Sequence, residues 1–146
     1  MVADRIGSQQ LPALSKRLRG EIEEVLHGYP QLHLLCEDGI PILRGTFPVI
    51  HEGKALDEYR IEVRISQGYP RKLPQVYEIG GRIPRIEDRH ISPEGLCCMM
   101  YPEDRSRHFP SGSRLITFMR GPVHNYFLSQ SVYAASGEWP FGAVSY

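Results

Sequence analysis

The sequence predicts an α+β fold in a single domain that spans residues 1–146. A helical stripe comes first, four segments with strand character follow, and helical spacing returns only after a long irregular segment. The strands and the turn between the first two favour an antiparallel meander with the first helix against its apolar face. With 146 residues, of which 41% are hydrophobic and 23% charged, we expect one packed core.

The N-terminal helix is predicted over residues 11–27. Pro12 suits its first turn, because a missing N–H costs nothing there, and Gly28-Tyr29-Pro30 ends it. Apolar residues recur at steps of three and four, which forms one stripe along a helix. These residues are Leu11, Leu14, Leu18, Ile22, Val25 and Leu26.

Four strands are predicted over residues 31–36, 40–50, 59–65 and 75–79. Glu37-Asp38-Gly39 has the residues of a tight turn, so the second strand folds back on the first. Between residues 59 and 65 every odd position is apolar and every even position is charged. This alternation is typical of a sheet with one face in water.

A long segment without either periodicity covers residues 80–95, and glycines and prolines interrupt it. Structureless segments of more than about 12 residues in a compact domain are usually functional or disordered. We therefore expect a long active-site loop here, which ends on the neighbouring thiols Cys97 and Cys98.

Two C-terminal helices are predicted after residue 113. Helical spacing begins at Leu115, stops at Gly121 and resumes at Val123. Pro122 then takes the first position of a new helix, where proline is tolerated, rather than a kink. The tail at residues 137–142 holds the only Trp and ends the second helix.

Composition argues against several classes of function. Seventeen Lys and Arg balance seventeen Asp and Glu, so the broad positive charge of a nucleic-acid or anionic-membrane binder is missing. The chain has no run of about 18 apolar residues and no signal-peptide pattern, and its three cysteines are few and odd in number. We expect a cytoplasmic protein with free thiols. Because no phosphate-cradling or dinucleotide-binding glycine motif occurs, we expect no cofactor.

The thiol pair is the main candidate for chemistry. A thiol with a pKa of about 8.5 is nucleophilic enough to accept an acyl group from another thioester without a dedicated base. In an extended segment Cys97 and Cys98 point to opposite faces, so we expect one to be accessible and one packed. The competing interpretation is that both are small buried hydrophobic residues, as free cysteines often are. Cys36, in a predicted strand, is expected in the core.

Three other uses of the thiols fit the sequence less well. A zinc site would combine them with His90 and His108, but adjacent thiols lack the spacing that lets two ligands converge on one ion. A hydrolase would use His90, His108 or His124 as its base, but no local signature of such an enzyme is present. A redox pair lacks the C-x-x-C motif. We therefore expect no metal.

The order of elements and two groups of residues resemble the ubiquitin-conjugating enzyme superfamily. Residues 69–76, YPRKLPQV, are similar to the family motif YP-x-x-x-P-x-V. His90, Gly95 and Cys98 are similar to its HPN followed by G-x-x-C. The resemblance covers roughly residues 11–142. It implies a fold with an N-terminal helix, a four-stranded antiparallel meander, a long loop, the active cysteine and C-terminal helices.

Within the superfamily the chain is most similar to the bacterial branch. That branch has a loop of the form H-x-N-P-D-G-x-x-C and a tail of the form Y-x-x-x-G-x-W-P-x-G. Here residues 90–98 are HISPEGLCC and residues 133–142 are YAASGEWPFG. Members include conjugating proteins encoded in CBASS antiphage operons beside a cGAS-like nucleotidyltransferase. The resemblance implies that the cysteine forms a thioester with the C-terminus of that nucleotidyltransferase and passes it on. A stand-alone chain fits the short type II operons, which lack an ATP-using activating domain.

Carried over residue by residue, the resemblance places Cys98 at the acceptor position and Cys97 at a position that is apolar in relatives. Ser92 stands where the family has the Asn that steadies the oxyanion or the loop. Because serine reaches less far, the resemblance favours thioester exchange over isopeptide transfer, with backbone N–H groups near Gly95 as oxyanion donors. His90 is expected to order the loop rather than to act as a base.

Two other functions stay open. Relatives such as RWD domains keep the fold without the cysteine, which predicts a noncatalytic interaction module whose sulfurs are buried and unreactive. A conjugating enzyme for a bacterial ubiquitin-like modifier would use the same cysteine with a different partner. The reactivity of the thiols separates the first alternative from an acyl carrier.

Overall fold

The fold is described by a computed structural model for residues 14–100 and 104–140, except for the side chain of His108. The elements in chain order are α1 (Lys16–Gly28), β1 (Leu32–Glu37), β2 (Ile40–His51), β3 (Lys54–Arg64), β4 (Gln75–Glu78), α2 (Arg105–His108), α3 (Leu115–Phe118) and α4 (His124–Ser136). The predicted α+β architecture is confirmed, since a helix precedes a four-stranded antiparallel sheet and helices follow it.

The first helix begins later than predicted. Ser15 is its N-cap, and the Ser15 Oγ accepts the N–H of Leu18 at 3.1 Å. Serine is favoured there because its oxygen satisfies an N–H that has no partner within the helix. The prediction that the helix already includes Leu14 is therefore wrong. Pro12 lies outside the described residues.

The four strands are ordered β1-β2-β3-β4, and each neighbouring pair is antiparallel. The odd positions of the third strand face the core as predicted, because Tyr59, Ile61, Val63 and Ile65 are all buried, but Glu62 at an even position is buried as well. This strand begins at Lys54, five residues earlier than its pattern indicates, because its first half pairs with the end of β2. The turn between them is Glu52-Gly53, with positive φ at both residues, a geometry that joins hairpin strands.

One cluster of buried apolar side chains fills the space between the sheet and the helices. The C-terminal helix α4 contacts β2 and β3, whereas α1 contacts β1 and α3. The first helix therefore packs on the sheet at β1, while α4 packs on β2 and β3. Aromatic packing gives α4 this position: the ring centroid of Phe127 lies 5.8 Å from that of Phe47 and 4.8 Å from that of Tyr59.

The predicted break between two C-terminal helices does not occur. Met119–Val123 form a π-helical segment that joins α3 directly to α4, and Pro122 lies inside it. The prediction that Pro122 opens a new helix is therefore wrong. The wider π turn accommodates a residue that has no N–H for the regular helical pattern. The helix ends at Gly137, which has a φ of 78°, as the start of the tail predicts.

The loop predicted over residues 80–95 contains more order than its sequence indicates. Glu87–Arg89 form a 3₁₀ turn. Two isolated antiparallel bridges follow, one between Tyr77 and Leu96 and one between Ile91 and Cys97. The end of the loop is thus attached to β4 and folds back on itself before it reaches the second thiol.

Candidate active site

Residues 91–97 form a tight hairpin that ends in the thiol pair. The N–H of Ser92 donates to the carbonyl of Leu96 at 2.9 Å, and the Ser92 Oγ accepts the N–H of Leu96 at 3.0 Å. The N–H of Gly95 donates to the carbonyl of Ser92 at 2.9 Å. Ser92 and Gly95 therefore hold the turn that precedes the thiols, and any part in catalysis stays a prediction.

Gly95 also fixes the hairpin against the end of β4. Its φ is +94°, and a Cβ at this position would lie 2.8 Å from the carbonyl oxygen of Glu78 and 3.2 Å from the guanidinium of Arg85. The N–H of Glu78 donates to the Gly95 carbonyl at 2.9 Å. Both the backbone conformation and the close approach require glycine here.

A buried ion pair fixes the start of the same loop. The Glu78 carboxylate is fully buried and lies 2.5 Å from the Arg85 Nη1, while the Arg85 Nη2 donates to the Glu78 carbonyl at 2.7 Å. The N–H of Arg82 donates to the same carboxylate at 3.1 Å. The sequence does not single out Glu78. Its burial is indicated only by its spacing. Glu78 lies two residues after Val76, so in a strand both side chains point to the same, inward face.

The two neighbouring thiols differ in burial. Cys97 is 5% exposed, and burial raises the pKa of its thiol to about 12. Cys98 is half-buried, and burial raises the pKa of its thiol above the ordinary value. Cys97 is the packed thiol that the sequence predicts, whereas Cys98 is half-buried rather than exposed, and Cys36 is buried as predicted. Cys98 is the thiol of this pair that an acyl donor can reach more readily, and its role as the nucleophile stays a prediction.

The backbone N–H groups of the hairpin are engaged in holding it together. Gly95 and Leu96 donate within the turn, Cys97 donates to the carbonyl of Val76 at 2.8 Å, and Cys98 donates to the carbonyl of His90 at 2.9 Å. These N–H groups are therefore not available to an oxyanion, and the expected role of other backbone N–H groups near Gly95 stays a prediction. The Ser92 hydroxyl keeps its own proton as a donor, since its Oγ serves Leu96 only as an acceptor.

His90 enters the hairpin in the left-handed conformation, with φ 57° and ψ 47°. Such a backbone costs a non-glycine residue about 1–2 kcal/mol and persists only where the surroundings hold it. The imidazole packs against the ring of Trp139, with centroids 5.7 Å apart. Burial lowers the imidazole pKa, against the opposing charge of Asp88, so the ring is neutral at pH 7. These features suit a residue that orders the loop.

Two polar side chains of α4 hold the segment that leads into the hairpin. The Tyr126 hydroxyl donates to the carbonyl oxygens of Arg89 at 3.0 Å and His90 at 3.1 Å. The Gln130 Nε2 donates to the Arg89 carbonyl at 2.7 Å, and its Oε1 accepts the Arg89 Nε at 2.7 Å. The sequence contains one signal for them: Tyr126 and Gln130 are four residues apart and so share a helix face.

The C-terminal tail returns to this loop. The rings of Tyr133 and Trp139 stack with centroids 4.2 Å apart, and the Arg89 guanidinium lies 5.1 Å from the centroid of the Tyr133 ring. The His90 ring also packs against Trp139, so the two groups of residues in the sequence, 90–98 and 133–142, meet through their described members. Residues 141 and 142 lie outside the described part of the chain.

Two features of the described residues bear on a metal site and on a histidine base. Within residues 14–100 and 104–140, no group of three or more His, Cys, Asp or Glu side chains is arranged to hold a metal ion. His124, a candidate base, has its Nε2 2.8 Å from the carbonyl oxygen of Ile50 at the end of β2. It begins α4, whereas the residues that hold the hairpin lie further along that helix.

Comparison of the chain with protein-family models, with curated protein sequences and with solved structures gives no match. Across the described ranges, none of the helices has the length and apolar character needed to cross a membrane. The geometry of the hairpin and the resemblance of its residues to the conjugating-enzyme motifs are therefore the two observations that bear on function.

Proposed function

We propose that this chain is a ubiquitin-conjugating-like acyl carrier in which Cys98 forms a thioester with the C-terminus of a partner protein. The observation that carries the proposal is the position of Cys98: it is half-buried at the end of an ordered hairpin, next to a buried Cys97. A ubiquitin-conjugating-like fold is part of the proposal. The order of helix, antiparallel meander, long loop, thiol and helices supports it, as does the contact between the loop and the tail.

The proposed reaction is a thioester exchange. The Cys98 thiol gives up its proton, and its sulfur attacks the carbonyl carbon of a thioester on the donor. A carbon–sulfur bond to Cys98 forms, the carbon–sulfur bond of the donor breaks, and the donor thiolate leaves and takes up a proton. Because both bonds are thioesters, the step consumes no ATP, and the C-terminus of the partner must arrive already activated as a thioester.

Ser92 in the place of the family Asn favours exchange over transfer to a lysine, while the pKa of the Cys98 thiol determines how much of it is reactive at a given pH. Burial raises the thiol pKa, so the protonated form predominates at neutral pH and the reactive fraction grows as pH rises. Ser92, in place of the family Asn, uses its Oγ to accept the N–H of Leu96, which orders the turn. We propose a thioester on Cys98 as the product that this chain holds.

The partner we propose is a cGAS-like nucleotidyltransferase of a short type II CBASS antiphage operon. The support is the resemblance of residues 90–98 and 133–142 to the bacterial branch, in which such a partner is primed for signalling. Conjugation of a bacterial ubiquitin-like modifier is the alternative outcome of the same chemistry, because only the C-terminus presented to Cys98 changes.

Incubation with the nucleotidyltransferase whose C-terminus has been prepared as a thioester, followed by non-reducing electrophoresis, tests the proposal. We expect a covalent complex that hydroxylamine cleaves, that persists in Cys97→Ala and that is lost in Cys98→Ala. Cys98→Ser should give an oxygen ester, which resists a reducing thiol and is cleaved by alkali. A complex that survives the double substitution of Cys97 and Cys98 by alanine would rule out the mechanism.

A noncatalytic interaction module of the RWD kind is the second candidate. The half-burial of Cys98 and its raised pKa favour it, since both reduce the reactivity of the thiol. Treatment of the folded protein with iodoacetamide separates the two candidates. If Cys98 stays unmodified while a free cysteine standard is consumed, the module is the better account. Modification of Cys98 at a rate close to that of the standard excludes it.

A further inference from the structure

Tyr126 and Gln130 are buried polar residues whose hydrogen bonds are directed at the main chain of the loop. Their exposed fractions are 0% and 1%. Buried polar side chains are normally hydrogen-bonded, because a buried group without a partner is destabilising. Here the partners include the carbonyl groups of Arg89 and His90, and the Tyr126 hydroxyl also hydrogen-bonds to the Cys97 side chain.

These bonds fix the backbone of His90. The carbonyl of Arg89 belongs to the peptide group before His90, and the carbonyl of His90 belongs to the one after it. The Tyr126 hydroxyl shares its one proton between these two carbonyls, and Gln130 adds a second donor to the first. With both flanking peptide groups held, the φ and ψ angles of His90 stay in the left-handed region.

The carbonyl oxygen of His90 connects this cluster to the thiol. It accepts the Tyr126 hydroxyl at 3.1 Å and the N–H of Cys98 at 2.9 Å. Only the χ1 rotation separates the backbone of a cysteine from its sulfur. A fixed position of the Cys98 N–H therefore restricts the sulfur to the few positions that χ1 allows.

We propose that Tyr126 and Gln130 are positioning residues for thioester exchange at Cys98. The inference rests on the function proposed above. The two residues act through the peptide groups of His90 and do not touch the acyl group. Loss of the Tyr126 hydroxyl keeps the Cys98 thiol but widens the range of positions that its sulfur occupies. The rate of acyl transfer therefore falls more than the rate of alkylation. Attack on a carbonyl requires a defined approach, and small misplacements reduce rates strongly.

The test compares two rates at Cys98. One is acyl transfer from N-acetylglycine thiobenzyl ester, and the other is alkylation by iodoacetamide. Both rates depend on the thiolate fraction and on access to the sulfur. We define the acylation ratio as the rate of acyl transfer divided by the rate of alkylation. These shared effects cancel in the ratio, which therefore measures what the site contributes to acyl transfer. Intact-mass spectrometry gives both rates, and peptide mapping assigns each adduct to Cys98 or Cys97.

Tyr126→Phe removes one hydroxyl and keeps the ring, which packs edge-on against Phe127 with centroids 5.0 Å apart. Tyr59→Phe is the matched control. Its hydroxyl lies 2.7 Å from the Ser131 Oγ, so the control also removes one buried hydroxyl at α4, but it leaves the bonds to the loop intact. Amide hydrogen exchange at Cys98 provides a second readout that needs no acyl donor.

We expect Tyr126→Phe to lower the acylation ratio by about tenfold or more and to speed amide exchange at Cys98, while Tyr59→Phe changes neither. If Tyr126→Phe matches Tyr59→Phe while the unsubstituted protein keeps an acylation ratio above that of a free thiol, the positioning role alone is overturned. If the unsubstituted protein itself has only the ratio of a free thiol, the proposed function fails and this inference fails with it.

Circular dichroism and urea unfolding identify a Tyr126→Phe protein that has lost its fold. In that case Gln130→Glu replaces it in the same comparison. This variant keeps an acceptor for the Arg89 Nε, removes the donor to the Arg89 carbonyl and adds a negative charge beside the Arg89 guanidinium. The same lowered ratio supports the inference, and an unchanged ratio overturns it.

Discussion

The imidazole of His90 lies edge-on to the indole of Trp139, with ring centroids 5.7 Å apart and planes inclined by 66°. The same indole stacks on Tyr133 from the end of α4. Through these contacts the tail packs against the residue that opens the thiol hairpin. The tail is therefore a structural part of the candidate site, and its removal should change the alkylation rate of Cys98.

Trp139→Ala removes both ring contacts of the tail. Each aromatic pair contributes about 0.5–1.5 kcal/mol, so we expect the free energy of unfolding to fall by about 2 kcal/mol. Alkylation of Cys98 by iodoacetamide should become faster, because the loop is held less firmly. Urea unfolding and mass spectrometry measure the two effects. Tyr133→Phe keeps the stacked ring and should change neither quantity. An unchanged alkylation rate in Trp139→Ala would show that the tail does not hold the hairpin.

Gly95→Ala should destabilise the protein by roughly 3 kcal/mol, since it adds a Cβ 2.8 Å from the Glu78 carbonyl oxygen and strains a residue with positive φ. Gly81→Ala is the matched control. Gly81 also has a positive φ, +72°, but nothing lies within 4 Å of its added Cβ, so a loss of about 1 kcal/mol is expected. Urea unfolding compares them. Equal losses would mean that the contact between the hairpin and β4 is not tight.

Glu21 is a buried carboxylate that joins α1 to two later segments of the chain. Its Oε1 accepts the Tyr69 hydroxyl at 2.6 Å and the N–H of Leu115 at 2.8 Å, and its Oε2 accepts the Arg17 Nε at 2.7 Å. Burial alone would raise its pKa, but these hydrogen bonds outweigh burial and lower it below the ordinary value of 4.5. The ionised form is therefore the one that the fold stabilises.

Glu21→Gln should lower the free energy of unfolding by about 2 kcal/mol at neutral pH, because a charge-assisted acceptor is lost. A carboxyl whose pKa is lowered by folding contributes stability above its unfolded pKa and loses it as pH falls through the folded pKa. The difference from the unsubstituted protein should thus shrink on acidification below pH 4.5.

Glu24→Gln is the control for this comparison. Glu24 is on the same helix and pairs with Arg114 at 2.8 Å, but its side chain is 44% exposed. We expect a change of about 0.5 kcal/mol or less. Chemical denaturation at several pH values measures both variants. A difference for Glu21→Gln that stays constant from neutral to acid pH would contradict a lowered pKa.

The rate of alkylation at Cys98 should rise with pH through a midpoint above 8.5, the value of a free thiol, because burial raises the Cys98 pKa. Cys97, with a pKa of about 12, should stay unmodified until the fold is lost. Peptide mapping after iodoacetamide treatment at several pH values separates the two thiols. Modification of Cys97 before Cys98 would contradict the assignment of Cys98 as the accessible sulfur.

Local periodicity made the sheet and the division between the thiols predictable. The alternation between residues 59 and 65 determines which side chains face the core, and the same rule separates Cys97 from Cys98. Both inferences need only the two-residue repeat of an extended chain.

Contacts between distant segments could not be predicted in this way. The bonds from Gln130 to Arg89 join residues 41 positions apart, and no local pattern determines which loop a helix face will meet. Pro122 illustrates the limit of a local rule, because packing keeps the helix continuous through a π turn where proline usually marks a boundary. The hydrogen bonds of the turn at Gly95, which engage the N–H groups of Gly95, Cys97 and Cys98, likewise could not be predicted from a local pattern.

The acylation ratio of the unsubstituted protein decides whether Cys98 is an acyl carrier. It is measured at Cys98 and compared with that of N-acetylcysteine methylamide, which has the same thiol without a protein around it. An acyl carrier should exceed this free thiol by about tenfold or more, because its site directs the sulfur at a carbonyl. The adduct should be lost in Cys98→Ala and retained in Cys97→Ala. An acylation ratio equal to that of the free thiol would show that the site does not promote acyl transfer to Cys98.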